Sequence, residues 1–202
     1  MKPLRVIFAA SMLAAAGCVS VSEGVDSLKE VDGDSVLVVG KIEIVPPIKP
    51  EEQTYKATDP FNSKRHFIGR AVMFMSDKPK YAEHTGHALN PPLEQTYFVK
   101  VPRSQRYMVK GSVTMSFAMR VVSRREAVTE QTELLFPVPA ELDIRASDKA
   151  IYIGTLRLHR DEFHEVTRAE VRDDFAAASA EFKKKFGAGV TLRKALMRKP
   201  KP

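Results

Sequence analysis

The chain has 202 residues, with 32 Lys plus Arg against 25 Asp plus Glu, a formal net charge of +7, and a single cysteine, Cys18. One cysteine excludes an intramolecular disulfide, so the burial of apolar side chains must stabilise the fold. After residue 17 no apolar run is long enough to span a bilayer as a helix.

The first residues have the composition of an export signal. Lys2 and Arg5 give a basic start, and an apolar run from Val6 to Ala16 follows, which is too short for a stable membrane-spanning helix. The stretch AAGC at residues 15 to 18 then resembles the lipobox of bacterial lipoproteins, although leucine is the commonest residue in that family where Ala15 stands. The resemblance implies that residues 1–17 are a removable signal peptide and that Cys18 is acylated. An ordinary secretory signal is the alternative.

The lipobox resemblance also implies a location. Two or more acyl chains hold a protein stably on a bilayer, at about 0.8 kcal/mol per buried CH₂. In Gram-negative lipoproteins an aspartate directly after the cysteine favours retention at the inner membrane, and Val19 stands at that position. We therefore expect a lipid anchor on Cys18 that holds the protein to the outer membrane, with the body facing the periplasm.

A polar segment follows the cysteine and precedes the first strand. Residues 18–34 contain two glycines and have no sustained periodicity, which predicts a lipidated tether. SVLVVGKIEIV, at 35–45, is rich in β-branched residues and is followed by Pro46 and Pro47, which predicts a strand with a sharp end. A second strand is predicted over 65–75.

The clearest period of two in the chain runs from residue 107 to 121. Every odd position is apolar or glycine, and the even positions are mostly polar, with Met108 among the exceptions. This alternation predicts a strand with one face in the core and one in water, with Gly111 as a possible bend. Residues 95–101 also alternate, and the turn residues at 102–105 favour a hairpin between the two strands.

Three further strands are predicted, at 132–138, 149–158 and 163–171. Turn residues rather than helical patterns separate the strands. The succession predicts a mainly β fold, an antiparallel β-sandwich of about seven strands over residues 35–171.

One amphipathic helix is predicted at 172–187, packed on the sandwich. Its apolar residues are spaced by 4, 3, 4 and 4 positions: Val171, Phe175, Ala178, Phe182 and Phe186. Acidic residues near the start and lysines near the end suit the helix dipole, and Gly187 can end the helix. VTLRKALM, at 190–197, is predicted to add a short helical turn.

The net positive charge lies at the C-terminal end, where residues 188–202 are predicted to form a basic tail. The basic residues of the last twenty positions, which contain no acidic residue, are Lys183, Lys184, Lys185, Arg193, Lys194, Arg198, Lys199 and Lys201. Such a cluster attracts anionic head groups at about 1 kcal/mol per charge near the membrane. Cell-wall polymer or an acidic envelope protein are alternative partners, and a solvated tail is the other interpretation. Nucleic acid is not expected, because no aromatic residues interleave the last dozen positions.

Two histidines suggest a metal site. His84 and His87, three residues apart in the long connection 76–94, can bind zinc or copper if a third ligand lies near, whereas a solvent-facing pair is the alternative. That connection and 46–64 are longer than usual and form a second candidate binding surface. The chain has no nucleophile elbow, phosphate-binding glycine loop or dinucleotide fingerprint, so we expect neither an enzyme nor a cofactor.

A looser family resemblance covers most of residues 36–187. The segments VVGKIEIVPP, TYFVKVPRSQRYMV and FPVPAELDIRASDKAIYIGTLRL, with a late helix, are similar to bacterial lipoproteins that have a transthyretin-like (prealbumin-like) β-sandwich. The resemblance implies the fold and carries no catalytic residues. The sequence thus predicts a non-enzymatic envelope lipoprotein that serves as an interaction or assembly module. The alternative is a periplasmic ligand- or metal-binding lipoprotein that uses the His84 and His87 loop.

Overall fold

The computed structural model describes residues 20–22, 24–52, 55–56, 69–79, 87–123 and 126–200. These residues are mainly β, with eleven strands in two sheets and one α-helix, which is consistent with a β-sandwich. The strands are β1 (Ser20–Ser22), β2 (Ser35–Val45), β3 (Tyr55–Lys56), β4 (Ala71–Ser76), β5 (His87–Leu89), β6 (Thr96–Pro102), β7 (Tyr107–Ser123), β8 (Glu126–Glu141), β9 (Ala150–Arg160), β10 (Val166–Arg172) and β11 (Leu192–Lys194). The helix is α1 (Phe175–Phe186), and short 3-10 helices lie at Leu28–Glu30 and Pro50–Glu52.

The two sheets enclose the main core. Sheet A has the order β1-β5-β4-β7-β3, with β8 also paired to β7, and sheet B has the order β10-β9-β2-β6, with β11 also paired to β9. The period of two predicted from the sequence is visible in both. In β2, for example, Val36, Val38, Ile42 and Ile44 point into the core between the sheets, whereas Leu37 and Val39 belong to a second apolar cluster.

The antiparallel prediction is confirmed only in part. β2 runs parallel to β9, with Leu37 opposite Ala150 and Val45 opposite His159, and the pairs β1·β5, β3·β7 and β11·β9 are also parallel. Alternating polarity reports which face of a strand is buried, and it is the same beside a parallel or an antiparallel neighbour. The pattern therefore predicts where the strands lie in the sequence but not whether neighbouring strands run parallel or antiparallel.

The hairpin predicted at residues 102–105 is wrong. The backbone N–H of Gln105 donates to the carbonyl oxygen of Pro102 at 2.9 Å, so a turn is present. However, β6 pairs with β2 in sheet B, whereas β7 pairs with β4 and β8 in sheet A. The turn therefore carries the chain from one sheet to the other.

A bulge explains the exception in the alternation of β7. The pairing of β7 with β8 shifts between Met108 and Lys110. Met108, before the shift, and Met115, after it, both lie in the main core, and Gly111 is also buried. Gly111 is required by close approach, because a Cβ there would lie 2.3 Å from the ring of Phe136. The ring fills the space that the glycine leaves.

The predicted helix is present as α1 and packs on the outer face of sheet B. Ala178 and Phe182 are buried in the second cluster with Leu37, Val39, Ala150 and Tyr152. Gly187, with φ of +81°, ends the helix as expected. Val171 belongs to β10 rather than to the helical stripe, and its side chain is exposed.

The N-terminal segment closes one edge of the sandwich. β1 pairs with β5 in sheet A, and Gly24 bridges to Val99 of β6 in sheet B. Val25 is buried, and Ser27 with Glu30 forms a capping box on the short helix that follows. The segment predicted as a tether over 18–34 is therefore part of the fold at residues 20–22 and from Gly24 onward.

The C-terminal segment closes the opposite edge. β11 runs beside β9, the N–H of Met197 donates to the carbonyl of Ile153 at 2.9 Å, and Arg198 exchanges backbone hydrogen bonds with Glu141 of β8. The segment thus links sheet B to sheet A. In place of the helical turn predicted over 190–197, the chain forms β11 at Leu192–Lys194, and Ala195 and Met197 beyond it reach the main core. The backbone N–H groups of Ala195 and Met197 donate to carbonyls of β9 rather than within a helical turn.

Candidate interaction surface

Arg193, one of the predicted surface-binding residues, is instead an internal partner of the loop before β9. Its Nε and Nη2 donate to the two carboxylate oxygens of Asp148 at 2.7 and 2.6 Å, and Nη1 donates to Asp143 at 3.2 Å. Asp148 is 6% exposed, and the Arg193 guanidinium holds its pKa below the ordinary value. Arg193 is therefore committed to the fold rather than to an anionic surface.

The other basic residues divide into two groups. Three pair within the fold: Lys185 with Asp26, Lys194 with Asp173 and Arg198 with Glu141, at N–O distances of 2.9, 2.9 and 4.0 Å. Lys183, Lys184 and Lys199 are exposed and have no carboxylate within 4.0 Å among the described residues. Cys18 and Lys201 lie outside the described residues. The basic cluster is thus partly neutralised by acidic residues from elsewhere in the chain.

Helix α1 places its last turn against the N-terminal segment. Lys185 Nζ lies 5.2 Å from the ring centroid of Phe98 and 5.5 Å from that of Phe186. Leu28 and Val31 pack into the same apolar cluster. Lys185, which also donates to Asp26 at 2.9 Å, is therefore held close to the N-terminal segment.

One end of the sandwich, here named the Arg103 end, consists of the turns at 32–34 and 102–106 and the loop 142–149. Arg103 ties them together: its Nε donates to the carbonyl of Gly33 at 2.8 Å, Nη1 to Arg145 at 2.9 Å and Nη2 to Asp148 at 2.5 Å. All three acceptors are backbone carbonyl oxygens, so Arg103 joins the turns through hydrogen bonds and not through a salt bridge.

The other end, named the Arg160 end, consists of residues 46–52 and 161–165. Arg160 is buried and donates to both carboxylate oxygens of Glu52 at 2.8 Å and to the carbonyls of Pro46 and Pro47 at 3.1 Å. Its Nη1 also lies 2.7 Å from Nδ1 of His164. The salt bridge to Arg160 lowers the pKa of Glu52 to about 2. This arrangement attaches the 46–52 loop to the end of β9.

The lowered pKa predicts how this end responds to acid. A carboxylate whose pKa falls on folding stabilises the protein above its unfolded-state pKa, and the stabilisation is lost as the pH falls towards the folded-state value. The window for Glu52 therefore runs from about pH 4.5 down to about 2. Glu52→Gln should be less stable than the wild type at pH 7 and should lose less stability between pH 5 and pH 3, as measured by urea denaturation.

Glu162→Gln is the matched control, since Glu162 is exposed at the same end. It should follow the wild-type profile. If both variants lose stability in parallel with the wild type on acidification, the Glu52–Arg160 interaction does not contribute to stability.

The structure moves one candidate metal ligand out of its predicted loop. His87 begins β5 and is 8% exposed, and burial lowers its pKa. His84 lies outside the described residues. In the described part of the chain, no group of three or more His, Cys, Asp or Glu side chains is arranged to hold a metal ion.

A charged cleft of about 220 Å³ lies beside the start of α1. Glu43 in its wall interacts with Lys41 at 2.8 Å and accepts from Arg157, and Lys41 is the main cause of the lowered pKa of Glu43. The hydroxyl of Tyr152 accepts from the N–H of Asp174 at 2.9 Å. A carboxylate held ionised in this way is poorly suited to act as a general acid near neutral pH.

An apolar groove of about 330 Å³ was not anticipated from the sequence. It runs between β8 and β10, and its apolar lining includes Val138, Ala140, Leu156, Val171 and Met197. Proline has no N–H to donate to a ladder, which suits Pro137 and Pro139 of β8 to a strand with a free edge.

Leu135, also on β8, is 65% exposed, because its neighbours Leu134 and Phe136 take the inward positions. The run Leu134-Leu135-Phe136 is the signal in the sequence, since the middle residue of three in a strand lies on the opposite face from its two neighbours.

No protein-family model, curated protein or solved structure is significantly similar to this chain. The resemblance to lipoproteins with a transthyretin-like sandwich therefore stays a prediction from the sequence motifs. Within the described ranges, none of the helices combines the length and the apolar character that crossing a bilayer requires.

Proposed function

We propose that this chain is a lipid-anchored lipoprotein of the bacterial outer membrane whose β-sandwich body is a non-enzymatic interaction or assembly module in the periplasm. The observation that carries the proposal is the AAGC stretch at residues 15–18, which follows a basic start and a short apolar run. Acylation of the Cys18 sulfur and amine supplies the two or more chains that stable membrane attachment requires. We further infer that the body belongs with the transthyretin-like sandwiches, with mixed rather than wholly antiparallel pairing.

The construction of the body is compatible with this use of its only cysteine. The core is formed by apolar side chains of two sheets, and no cysteine is among them. Ion pairs such as Arg193–Asp148 and Arg160–Glu52 attach the loops at the two ends.

An interaction role is supported by the apolar surface of the described residues. Val171, at the groove between β8 and β10, and Leu135, on β8, are 39% and 65% exposed, whereas the other apolar residues named in the groove lining are buried. Exposed apolar side chains can contribute to an interaction site when a partner covers them. The partner classes expected from the sequence are an envelope protein, lipid head groups and cell-wall polymer.

Replacing Cys18 by serine tests the anchor. Cys18→Ser should incorporate no fatty acid, and the molecules freed of the leader should be at least about tenfold more abundant in the soluble periplasmic fraction than those of the wild type, because no acyl chain remains to hold them. Circular dichroism of the purified body should be unchanged. Val19→Ala, which keeps the cysteine, is the control and should stay on the membrane.

An uncut leader can itself retain a protein at the membrane, so a second variant carries an ordinary cleavable secretory signal in place of residues 1–18. Its body should be fully soluble. The proposal is wrong if that body still sediments with membranes, or if mass spectrometry of the natural N-terminus shows an unmodified thiol.

A further inference from the structure

The fold begins almost at the proposed lipid attachment point. Only Val19 separates Cys18 from Ser20, the first residue of β1, and Ser20 pairs with His87 of β5. Two residue steps of fully extended chain span at most about 7 Å. A lipid on Cys18 would therefore hold the start of β1 close to the head groups, whereas a tether over 18–34 would have let the body move freely.

The pairing register of sheet A shows where the start of β1 lies. His87 is opposite Met75 of β4, and Met75 is opposite Met108 of β7. β7 begins one residue earlier, at Tyr107, directly after the 102–106 turn. The start of β1 is thus level with the Arg103 end of the sheet.

Sheet B leads to the same position independently. Gly24 forms an antiparallel bridge with Val99, three residues before β6 ends at Pro102. Because the bridge is antiparallel, the chain arrives at Gly24 from the side where β6 ends and the 102–106 turn begins. Both sheets place the entry of the chain at the Arg103 end.

We propose that the Arg103 end of the sandwich rests on the phospholipid head groups of the leaflet that holds the Cys18 lipid, so that the body has a fixed orientation on the membrane. The inference rests on the lipid anchor of the proposed function and adds to it the surface that contacts the membrane. The length of chain between the lipid and β1 is too short for the opposite end to reach the bilayer.

The charged groups of this end suit a head-group surface. Exposed cations of the Arg103 end and of the adjacent 76–79 loop are Lys78, Arg106, Arg145 and Lys149. The chain after α1 reaches the same end, where Val190 lines a cavity with Gly33 and Arg103, and the last turn of the helix carries the exposed Lys183 and Lys184. Acidic residues in the same turns and loops are Asp32, Asp34, Asp77, Asp143 and Asp148. Asp32 lies 3.6 Å from Lys100, Asp143 lies 3.6 Å from Arg145 and is also paired with Arg193, and Asp148 is paired with Arg193. Counted with these partner cations and the two lysines of α1, the cations are in modest excess. The lipid supplies the attachment, and the cations favour anionic over zwitterionic head groups.

The Arg160 end is then directed away from the membrane. β9 runs from Ala150 at the Arg103 end to Arg160 at the other, and its eleven residues span about 33 Å. Glu162, in the turn that follows, lies beyond that distance from the head groups. Partners in the periplasm would meet the 46–52 and 161–165 segments first.

The single cysteine of the chain allows a direct test. Because the lipid consumes Cys18, a second cysteine introduced by Ser104→Cys or Glu162→Cys can be labelled alone with a small fluorophore in the lipidated protein. Both positions are exposed turn residues, one at each end. The labelled proteins are reconstituted into vesicles of phosphatidylethanolamine and phosphatidylglycerol that contain nitroxide-labelled head groups.

The label at position 104 should be quenched at least about threefold more strongly than the label at 162, because the two ends are separated by the length of β9. Equal quenching at the two positions, or stronger quenching at 162, would contradict the proposed orientation. Flotation of both proteins with the vesicles would still support the lipid anchor in that case. Failure of both proteins to float would contradict the anchor itself and the orientation with it.

The contribution of charge is measured in the same system. Replacing phosphatidylglycerol by phosphatidylcholine should reduce quenching at position 104, and Arg145→Glu with Lys149→Glu should reduce it in the anionic vesicles. If neither change alters the quenching at position 104, the cations do not contribute to the orientation.

Discussion

Removal of residues 188–202 is expected to destabilise the folded protein by more than about 5 kcal/mol, which approaches the whole stability of an ordinary domain. The deletion removes Leu192 and Met197 from the two apolar clusters and takes the bidentate partner from the buried carboxylate of Asp148. It also opens the edge where Arg198 pairs with Glu141. Urea denaturation and the melting temperature measure the effect.

The matched control ends the chain at Arg198 and keeps all of these contacts. It should unfold close to the wild-type midpoint. A chain ending at Gly187 that unfolds at the same urea concentration as the control would show that the C-terminal segment is not part of the cooperative fold. The charge of the basic cluster is better tested by reversal at Lys183, Lys184 and Lys199, which are exposed.

Phe182→Ala is expected to cost about 3–5 kcal/mol, the usual range for removing a fully buried aromatic ring. Phe182 is 0% exposed and attaches α1 to the outer face of sheet B, where Val39 and Tyr152 are its neighbours in the cluster. The ring is also 5.2 Å from that of Phe186, so its loss loosens the last turn of the helix. Chemical denaturation measures the change in free energy of unfolding.

Lys183→Ala, at the next and exposed position, should change stability by less than about 0.5 kcal/mol. A loss below about 1 kcal/mol for Phe182→Ala would mean that the helix does not depend on this contact. A protein that keeps its strands but loses its helical signal would show that the sandwich folds without α1.

The sequence predicted the positions of the longer strands and of the helix but not the partners of the strands, because the spacing of apolar residues indicates only which face of an element is buried. The predicted bounds of β2 are the observed ones, because its β-branched residues favour a strand and the prolines that follow end it. The helix was predicted because its apolar stripe has the 3.6-residue period. Strand partners were not predictable, since an alternating strand has the same pattern in either sheet. The turn residues at 102–105 therefore suggest a hairpin at a place where the chain crosses between the sheets.

The candidate site was less predictable, because the basic residues are close together in the sequence whereas the acidic residues that pair with them are distant in it. Arg193 is 45 residues from Asp148, and Lys185 is 159 residues from Asp26. A run of basic residues without a nearby acid therefore resembles a free cluster, although part of it is paired in the fold. The polar residues before His87 predict a loop, whereas the structure buries His87 in β5, between β1 and β4.

If the chain is exported as proposed, the closure of the sandwich at both edges by its terminal segments has a consequence for the order of events. An exported chain would emerge N-terminus first, and β1 could pair only after β5, more than sixty residues later, had also emerged. β11 comes last, so the second edge would stay open until nearly the whole chain had crossed. Under the proposed export route, acylation and cleavage at Cys18 would meet a nascent chain that is not yet folded, and the finished protein would take shape already attached to its membrane.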